Sequence, residues 1–257
     1  MTVIDEIVSR TRADLNARKA KIPQDLFDIS RKPISLKAAI ENAKKRGNAV
    51  ISEIKPSSPS LGTIRKADPV DVAKQMCSGG ACAISVLTEP HYFSGSLFNL
   101  ELVRKAVDIP LLRKDFIIDE YQISEAKHYG ADAVLLMVAV LGGLTNQFLD
   151  FVHSLGMEAL VEVHDEPELN IALETNAKII GINNRSLKDL TIDLSTTQRL
   201  VTKIPSTKIK VSESGVKSRE DLDKVISYGA DAALVGSSIM RSDDIESAVR
   251  ALVNTTR

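Results

Sequence analysis

One short pattern recurs four times along this chain: the end of a helix, a glycine or asparagine beside a small residue, then an apolar strand. The copies lie at 78–87, 129–136, 176–182 and 228–236, spaced by roughly 50 residues. That spacing is about twice one strand-plus-helix unit, so a second strand fits inside each interval and the count comes to eight. Eight βα units in about 250 residues match an α/β fold of one kind, the (β/α)8 TIM barrel. Such barrels carry their chemistry at the C-terminal ends of the strands, which directs attention there.

The length of 257 residues suits one large barrel better than two average domains, so residues 1–257 read as a single domain. Acidic and basic residues nearly cancel, 34 against 33, and imply no basic face for nucleic acid. Tryptophan is absent and other aromatics are scarce, so no stacking platform for single strands is evident. No run of about 18 apolar residues marks a membrane span. The N-terminus lacks the apolar core of a secretory signal. Cys77 and Cys82 stand without histidine or further cysteine nearby. Buried, reduced thiols in a cytoplasmic protein are the expectation. A monomer is expected, with a homodimer as the alternative.

Ile4, Ile7, Val8, Thr11 and Leu15 recur at helical spacing, and a second helix reads over 36–46, ended by Gly47. Residues 1–46 thus form a helical extension ahead of the first strand. Two roles are open to it: a cap over the barrel's bottom, or a segment shaping the active-site mouth. Strands read at 49–54, 82–87, 110–114, 133–137, 158–163, 179–183, 209–212 and 232–236. They are short and apolar, as parallel strands buried on both faces are. Helices read at 69–77, 120–129 and 219–228. The turn-rich stretch 56–68 after strand 1 reads as a mobile active-site loop.

Odd strands end in charge: Glu53 and Lys55 on strand 1, Lys114 on strand 3, Glu162 on strand 5, Glu213 on strand 7. Strand alternation puts Leu112 and Lys114 on one face, and Glu53 with Lys55 on one face. Alternate strands supply each layer of a barrel interior, so Glu53, Lys114, Glu162 and Glu213 are expected in one polar layer. Interior charges are costly unless paired, so a salt-bridged plug is the bland reading. Charge on four strands at the functional end favours a catalytic cluster. There a lysine serves as general acid and a carboxylate as general base. Strand 6 ends with Asn183 and Arg185, able to bond a hydroxyl or a carboxylate, while Asn184 reads as a turn residue. Ser214-Gly215 and Gly236-Ser237 follow strands 7 and 8, where many barrels bind phosphate. The expected ligand is a phosphorylated small molecule. Of the four histidines only His164 follows a strand end, and none has metal-ligand spacing, so no metal is expected.

These motifs, in order, resemble those of the indole-3-glycerol-phosphate synthases. Glu53-Ile54-Lys55-Pro56-Ser57-Ser58-Pro59-Ser60 is similar to the first-strand signature of that family. Ser85-Val86-Leu87-Thr88-Glu89, with Tyr92-Phe93 and Gly95-Ser96, resembles its second, and Leu112-Arg113-Lys114-Asp115-Phe116 its third. Val161-Glu162-Val163-His164, Gly181-Ile182-Asn183-Asn184-Arg185, Ser212-Glu213-Ser214-Gly215 and Val235-Gly236-Ser237-Ser238 continue the match. The resemblance spans nearly the whole chain, N-terminal helices included. Pro56 and Leu61 depart from it, since basic residues are commoner at both places.

The resemblance implies a carboxy-lyase of tryptophan biosynthesis that needs no cofactor. Its substrate is 1-(2-carboxyphenylamino)-1-deoxyribulose 5-phosphate. Closure onto the C2 carbonyl, loss of CO2 and loss of water give indole-3-glycerol phosphate. By the same resemblance Lys114 is the general acid, and Lys55 binds the anthranilate carboxylate or protonates the departing hydroxyl. Glu162 and Glu53 are base and orienting groups, Asn183 holds a hydroxyl, and Glu213 fixes Lys55 or the ribulose chain. Arg185 lines the carboxylate end. Ser58, Ser214, Gly215, Gly236 and Ser237 are expected around the phosphate, and Phe93, Phe116, Leu135 and Leu187 around the anthranilate ring. A phosphoribosylanthranilate isomerase, sharing the phosphate turns, would need a Cys/Asp pair where this chain has Glu53 and Lys55. A non-catalytic barrel would be expected to lack the charges at the strand ends.

Overall fold

The computed structural model describes residues 3–254; residues 1–2 and 255–257 of the expected domain lie outside the described residues. Counting only barrel strands, these are β1 (Ala49–Ile54), β2 (Ala83–Leu87), β3 (Leu111–Lys114), β4 (Ala133–Met137), β5 (Glu158–Val163), β6 (Ile179–Asn183), β7 (Ile209–Glu213) and β8 (Ala232–Val235). Each pairs in parallel with its sequence neighbours, and β1 closes the barrel against β8 with Ala49 opposite Ala232. The fold is a (β/α)8 TIM barrel, and every expected strand lies within a residue of its observed bounds.

The repeat explains the turns into the even strands. Gly80, Gly130 and Gly229 have φ of +97°, +94° and +110°, a region that costs glycine little and other residues more. In two copies an aspartate follows two residues later. Its carboxylate accepts the N–H that opens or enters the preceding strand, Asp132 from Leu111 and Asp231 from Lys210, each at 2.8 Å. The copy at Asn176 is built otherwise: Asn176 is not left-handed, and Thr175 Oγ1 accepts the Ala177 N–H at 3.1 Å instead.

Period two sorts the strand residues. Val50, Ile84, Val134 and Val161 pack outward under the helices. Ile51, Leu112, Leu160 and Val211 fill the barrel interior with Ala83, Leu135 and Leu234. Full burial of such a side chain contributes about 1.5–3 kcal/mol. Two residues further along the odd strands the same face carries Glu53, Lys114, Glu162 and Glu213. The site therefore sits directly on an apolar plug.

The N-terminal extension takes both roles that its sequence left open. Helix α2 (Leu36–Lys44) packs Leu36, Ile40 and Ala43 with Ala49 and Ala83 at the N-terminal ends of the strands. It stops at Lys44, short of the expected Arg46, and the Gly47 N–H closes onto the Ala43 carbonyl at 3.0 Å. Helix α1 (Val3–Lys21) lies at the opposite end, where Ile4 and Ile7 line the cavity described below. Side-chain bonds tie it there: Tyr92 Oη donates to Glu6, and His91 Nε2 meets Asp14, both at 2.6 Å.

The turn-rich stretch 56–68 contains an antiparallel pair, Ser57–Ser58 against Gly62–Thr63. Its base is anchored by the Ser57 N–H to the Phe93 carbonyl at 3.2 Å, and by Arg65 to the Ser242 carbonyl. Cys77 and Cys82 are both free thiols, and burial pushes them up to about 11 and about 12, so neither is a ready thiolate.

Candidate active site

A cavity of about 560 Å³ opens at the C-terminal ends of the strands, and every site residue expected from the sequence lines it. Its floor is the charged layer. Lys114 Nζ donates to Glu162 Oε2 at 2.9 Å and stands 3.4 Å from Glu213 Oε2. Lys55 Nζ donates to Glu53 Oε1 at 2.9 Å. The three carboxylates are almost fully buried, while both ammonium groups keep some exposure toward the cavity. Of the two partners the sequence left open for Glu213, Lys55 or the ribulose chain, Lys55 is not the one it meets in the protein: Glu213 stands against Lys114, and Lys55 against Glu53.

The layer exists because neighbouring strands leave room for it. A Cβ on Gly181 of β6 would collide with the Glu213 carboxylate. A Cβ on Gly236, just past β8, would come within 2.6 Å of Glu53 Oε1.

Electrostatics divide the carboxylates. Burial works against the Lys114 ammonium, yet the charges of Glu162, Glu213 and Glu53 outweigh it and hold Lys114 protonated well above the usual lysine range. Burial also penalises the Glu162 anion, but Lys114 and then His164 overcome that and draw its pKa below the ordinary value. Glu213 goes the other way. Burial raises its pKa, and although Lys114 opposes, the neighbouring Glu162 and Glu53 charges leave it above the carboxylate range. The two carboxyl groups beside one lysine are thus drawn in opposite directions.

Above the floor the cavity has two ends. At one, Ser214 and Gly215 follow β7 with φ of +63° and +97°, and the short helix Ser237–Arg241 starts at Gly236 after β8. The Ser58 hydroxyl is buried nearby with no hydrogen-bond partner. Exposed Lys217 and Arg241 stand on the same rim. At the other end Phe93 and Phe116 stack with centroids 6.3 Å apart, and Lys55 Nζ sits 5.9 Å from the Phe93 ring centroid. Leu135 and Leu187 complete an apolar wall. Asn183 Oδ1 accepts the Arg185 N–H at 3.0 Å, and the Asn183 side chain also bonds Glu162, which helps keep that carboxylate ionised. Burial lowers the Arg185 pKa, partly offset by Glu53.

Glu89 and Asn184 were not legible as contributors, and His164 was legible only as a histidine following a strand end. Glu89 lines the cavity, and its carboxylate accepts the backbone N–H groups of His91 (2.9 Å), Tyr92 (2.7 Å) and Phe93 (3.1 Å), which fixes the Phe93 turn. Asn184 is no ordinary turn residue. Buried, it donates to Ser212 Oγ and to the Glu213 and Ser214 carbonyls, and accepts from Thr197. It brackets the loop that carries Ser214. His164 stands behind Glu162, with Nε2 3.4 Å from Glu162 Oε1.

Fold and cavity define the class, a (β/α)8-barrel enzyme with acid–base groups converging at its C-terminal mouth. Over residues 4–252 the chain matches the family model for indole-3-glycerol phosphate synthase. The indole-3-glycerol phosphate synthase of Methanocaldococcus jannaschii is 48% identical, with 98% of this chain and 99% of that protein covered. Those of Dehalococcoides mccartyi and Campylobacter jejuni are 46% and 44% identical, each fully covered by 98% of this chain. The chain belongs to the indole-3-glycerol phosphate synthase family. It is a carboxy-lyase of tryptophan biosynthesis, acting on a phosphorylated small molecule. A thiamine phosphate pyrophosphorylase from Pyrococcus furiosus shares the fold alone, with a TM-score of 0.60 at 15% identity over 81% of this chain and 95% of that one.

Proposed function

We propose that decarboxylative ring closure is divided among the cavity residues as follows. The observation that carries the assignment is Lys114 Nζ at the cavity floor, 2.9 Å from Glu162 Oε2 and 3.4 Å from Glu213 Oε2, with the pKa values of the two carboxyls drawn in opposite directions. Environments that push two carboxyl groups apart mark acid and base roles. The anthranilate ring lies against Phe93, Phe116, Leu135 and Leu187, with its carboxylate toward Lys55 and Arg185. The phosphate lies at Ser58, Ser214, Gly215, Gly236 and Ser237, taking backbone N–H groups and hydroxyls.

The ring carbon bearing the carboxylate attacks the C2 carbonyl, and Lys114 gives its proton to the developing alkoxide. CO2 then departs, leaving its bonding electrons to restore the aromatic ring. An apolar wall offers the carboxylate little solvation and favours that loss. Dehydration takes the new hydroxyl out with a proton from Lys55 and removes a proton from the adjacent methylene. Glu162 is the base for that step. Glu53 orients Lys55, Asn183 donates to a substrate hydroxyl, and the protonated Glu213 holds the ribulose chain.

The whole described chain serves this site as one domain, supported by a barrel closed through β1 and β8. Among the described residues no helix is long and apolar enough to cross a membrane. We place the enzyme in the cytoplasm, a reading supported by its two unpaired cysteines, and take it as a monomer.

The test is an assay of indole emission on adding the carboxyphenylamino-deoxyribulose phosphate. The absence of tryptophan keeps the background low. A rise that Lys114→Ala abolishes in folded protein is expected. Substantial turnover in that variant would remove Lys114 as the acid.

A further inference from the structure

The Glu162 carboxylate has a basic group on each side, one hydrogen-bonded and one at ion-pair distance. Oε2 takes the Lys114 ammonium at 2.9 Å, and Oε1 faces His164 Nε2 at 3.4 Å. His164 is itself tethered. Its Nδ1 lies 3.0 Å from Glu168 Oε2, and its backbone N–H donates to the same oxygen at 2.8 Å. The charged groups facing the imidazole are Glu162 on its own strand, Glu168 on the helix Glu166–Leu173, and Glu213 on β7. Glu168, by its hydrogen bond and charge, and Glu162 favour the imidazolium against burial, with Glu213 the smallest contributor and none when protonated.

When Lys114 transfers its proton, it leaves Glu162 nine-tenths or more buried without that counter-charge. Among the described residues, the cations at ion-pair distance from Glu162 are Lys114 and His164. We propose that His164 is a positioning residue: an imidazolium, held by Glu168, that keeps Glu162 ionised and aimed while Lys114 is neutral. The proposal rests on the roles given above to Lys114 and Glu162. It assigns to the pair His164–Glu168 more than the capping of a helix start, the only task their backbone bonds would require.

The test compares kcat–pH profiles of wild type, Glu168→Gln, His164→Gln and Lys114→Met, with the His164 imidazole titrated by 15N NMR. In Glu168→Gln the imidazolium is less favoured, so its titration and the alkaline limb of kcat both move to lower pH, with KM within about twofold. In His164→Gln that limb disappears and kcat falls roughly tenfold, part of what a positioned acid–base pair contributes. Glu168 lies outside the cavity lining, so its variant carries the test even if His164→Gln is unstable. Limbs unmoved in both variants, or an imidazole neutral at the working pH, would overturn the proposal. A purely structural role would lower stability and leave the limbs in place. Turnover in Lys114→Met would instead sink the acid assignment, and is read independently of the limb positions.

Discussion

Arg113 and Lys114 are adjacent on β3, both inside the protein and both among acids, yet they face opposite layers. Arg113 points outward under the helices and is fully satisfied. It donates to Asp115 at 2.8 Å, Glu125 at 2.9 Å, the Gln122 carbonyl at 2.7 Å and Thr88 at 3.1 Å. Glu125 takes a further bond from Arg18 of α1. Lys114 points inward to acids whose bonding is incomplete: Glu162 Oε1 and Glu213 Oε2 have only ion-pair contacts at 3.4 Å, with His164 and Lys114, and Glu213 Oε1 has no hydrogen-bond partner. Buried polar networks are normally satisfied, and a fully bonded one acts as a strut. Acids bonded this loosely at the floor of a cavity are not built as struts. The two clusters show how one strand carries structure on one face and chemistry on the other.

Substitutions should separate the two faces. Lys114→Met should lower kcat by roughly 10³-fold or more, with the far-UV circular dichroism spectrum unchanged. Arg113→Met should do the converse. Stranding Asp115 and Glu125 should cost about 3–5 kcal/mol of stability in urea titrations, while kcat of the folded variant falls far less than in Lys114→Met. Ser237→Ala should raise KM about tenfold at unchanged kcat, since phosphate is bound alike in ground and transition states. A KM unmoved by that change would remove Ser237 from the phosphate end.

The smallest effect is a pH dependence. The folded-state pKa of Glu213 is raised, so the native protein holds a proton that the unfolded chain has released. Wild-type stability should therefore fall as pH rises from the unfolded pKa to the raised one. Glu213→Gln mimics the protonated form, so its Tm should gain on wild type across that window. A Tm difference constant with pH would show that Glu213 ionises normally.

The strands were readable because parallel strands buried on both faces are unbroken apolar runs, and the polar layer because period two and strand parity place Glu53, Lys114, Glu162 and Glu213 together. Which acid meets which lysine was not readable. That depends on stagger around the barrel, and Glu213 was allowed to reach Lys55 where it meets Lys114. The end of the barrel that α1 covers was equally hidden, because Ile4, Ile7 and Leu15 give the same amphipathic stripe at either end. Glu89 escaped because its partners are backbone N–H groups of its own following turn, which no side-chain pattern announces.

Gly181 and Gly236 contribute no side chain, yet the carboxylates of Glu213 and Glu53 occupy the space where theirs would be. The tolerance of this enzyme to sequence change is therefore narrower than its set of reacting groups. Alanine, the mildest of replacements elsewhere on a barrel strand, would at these two places force an acid of the site to move without replacing any acid or base.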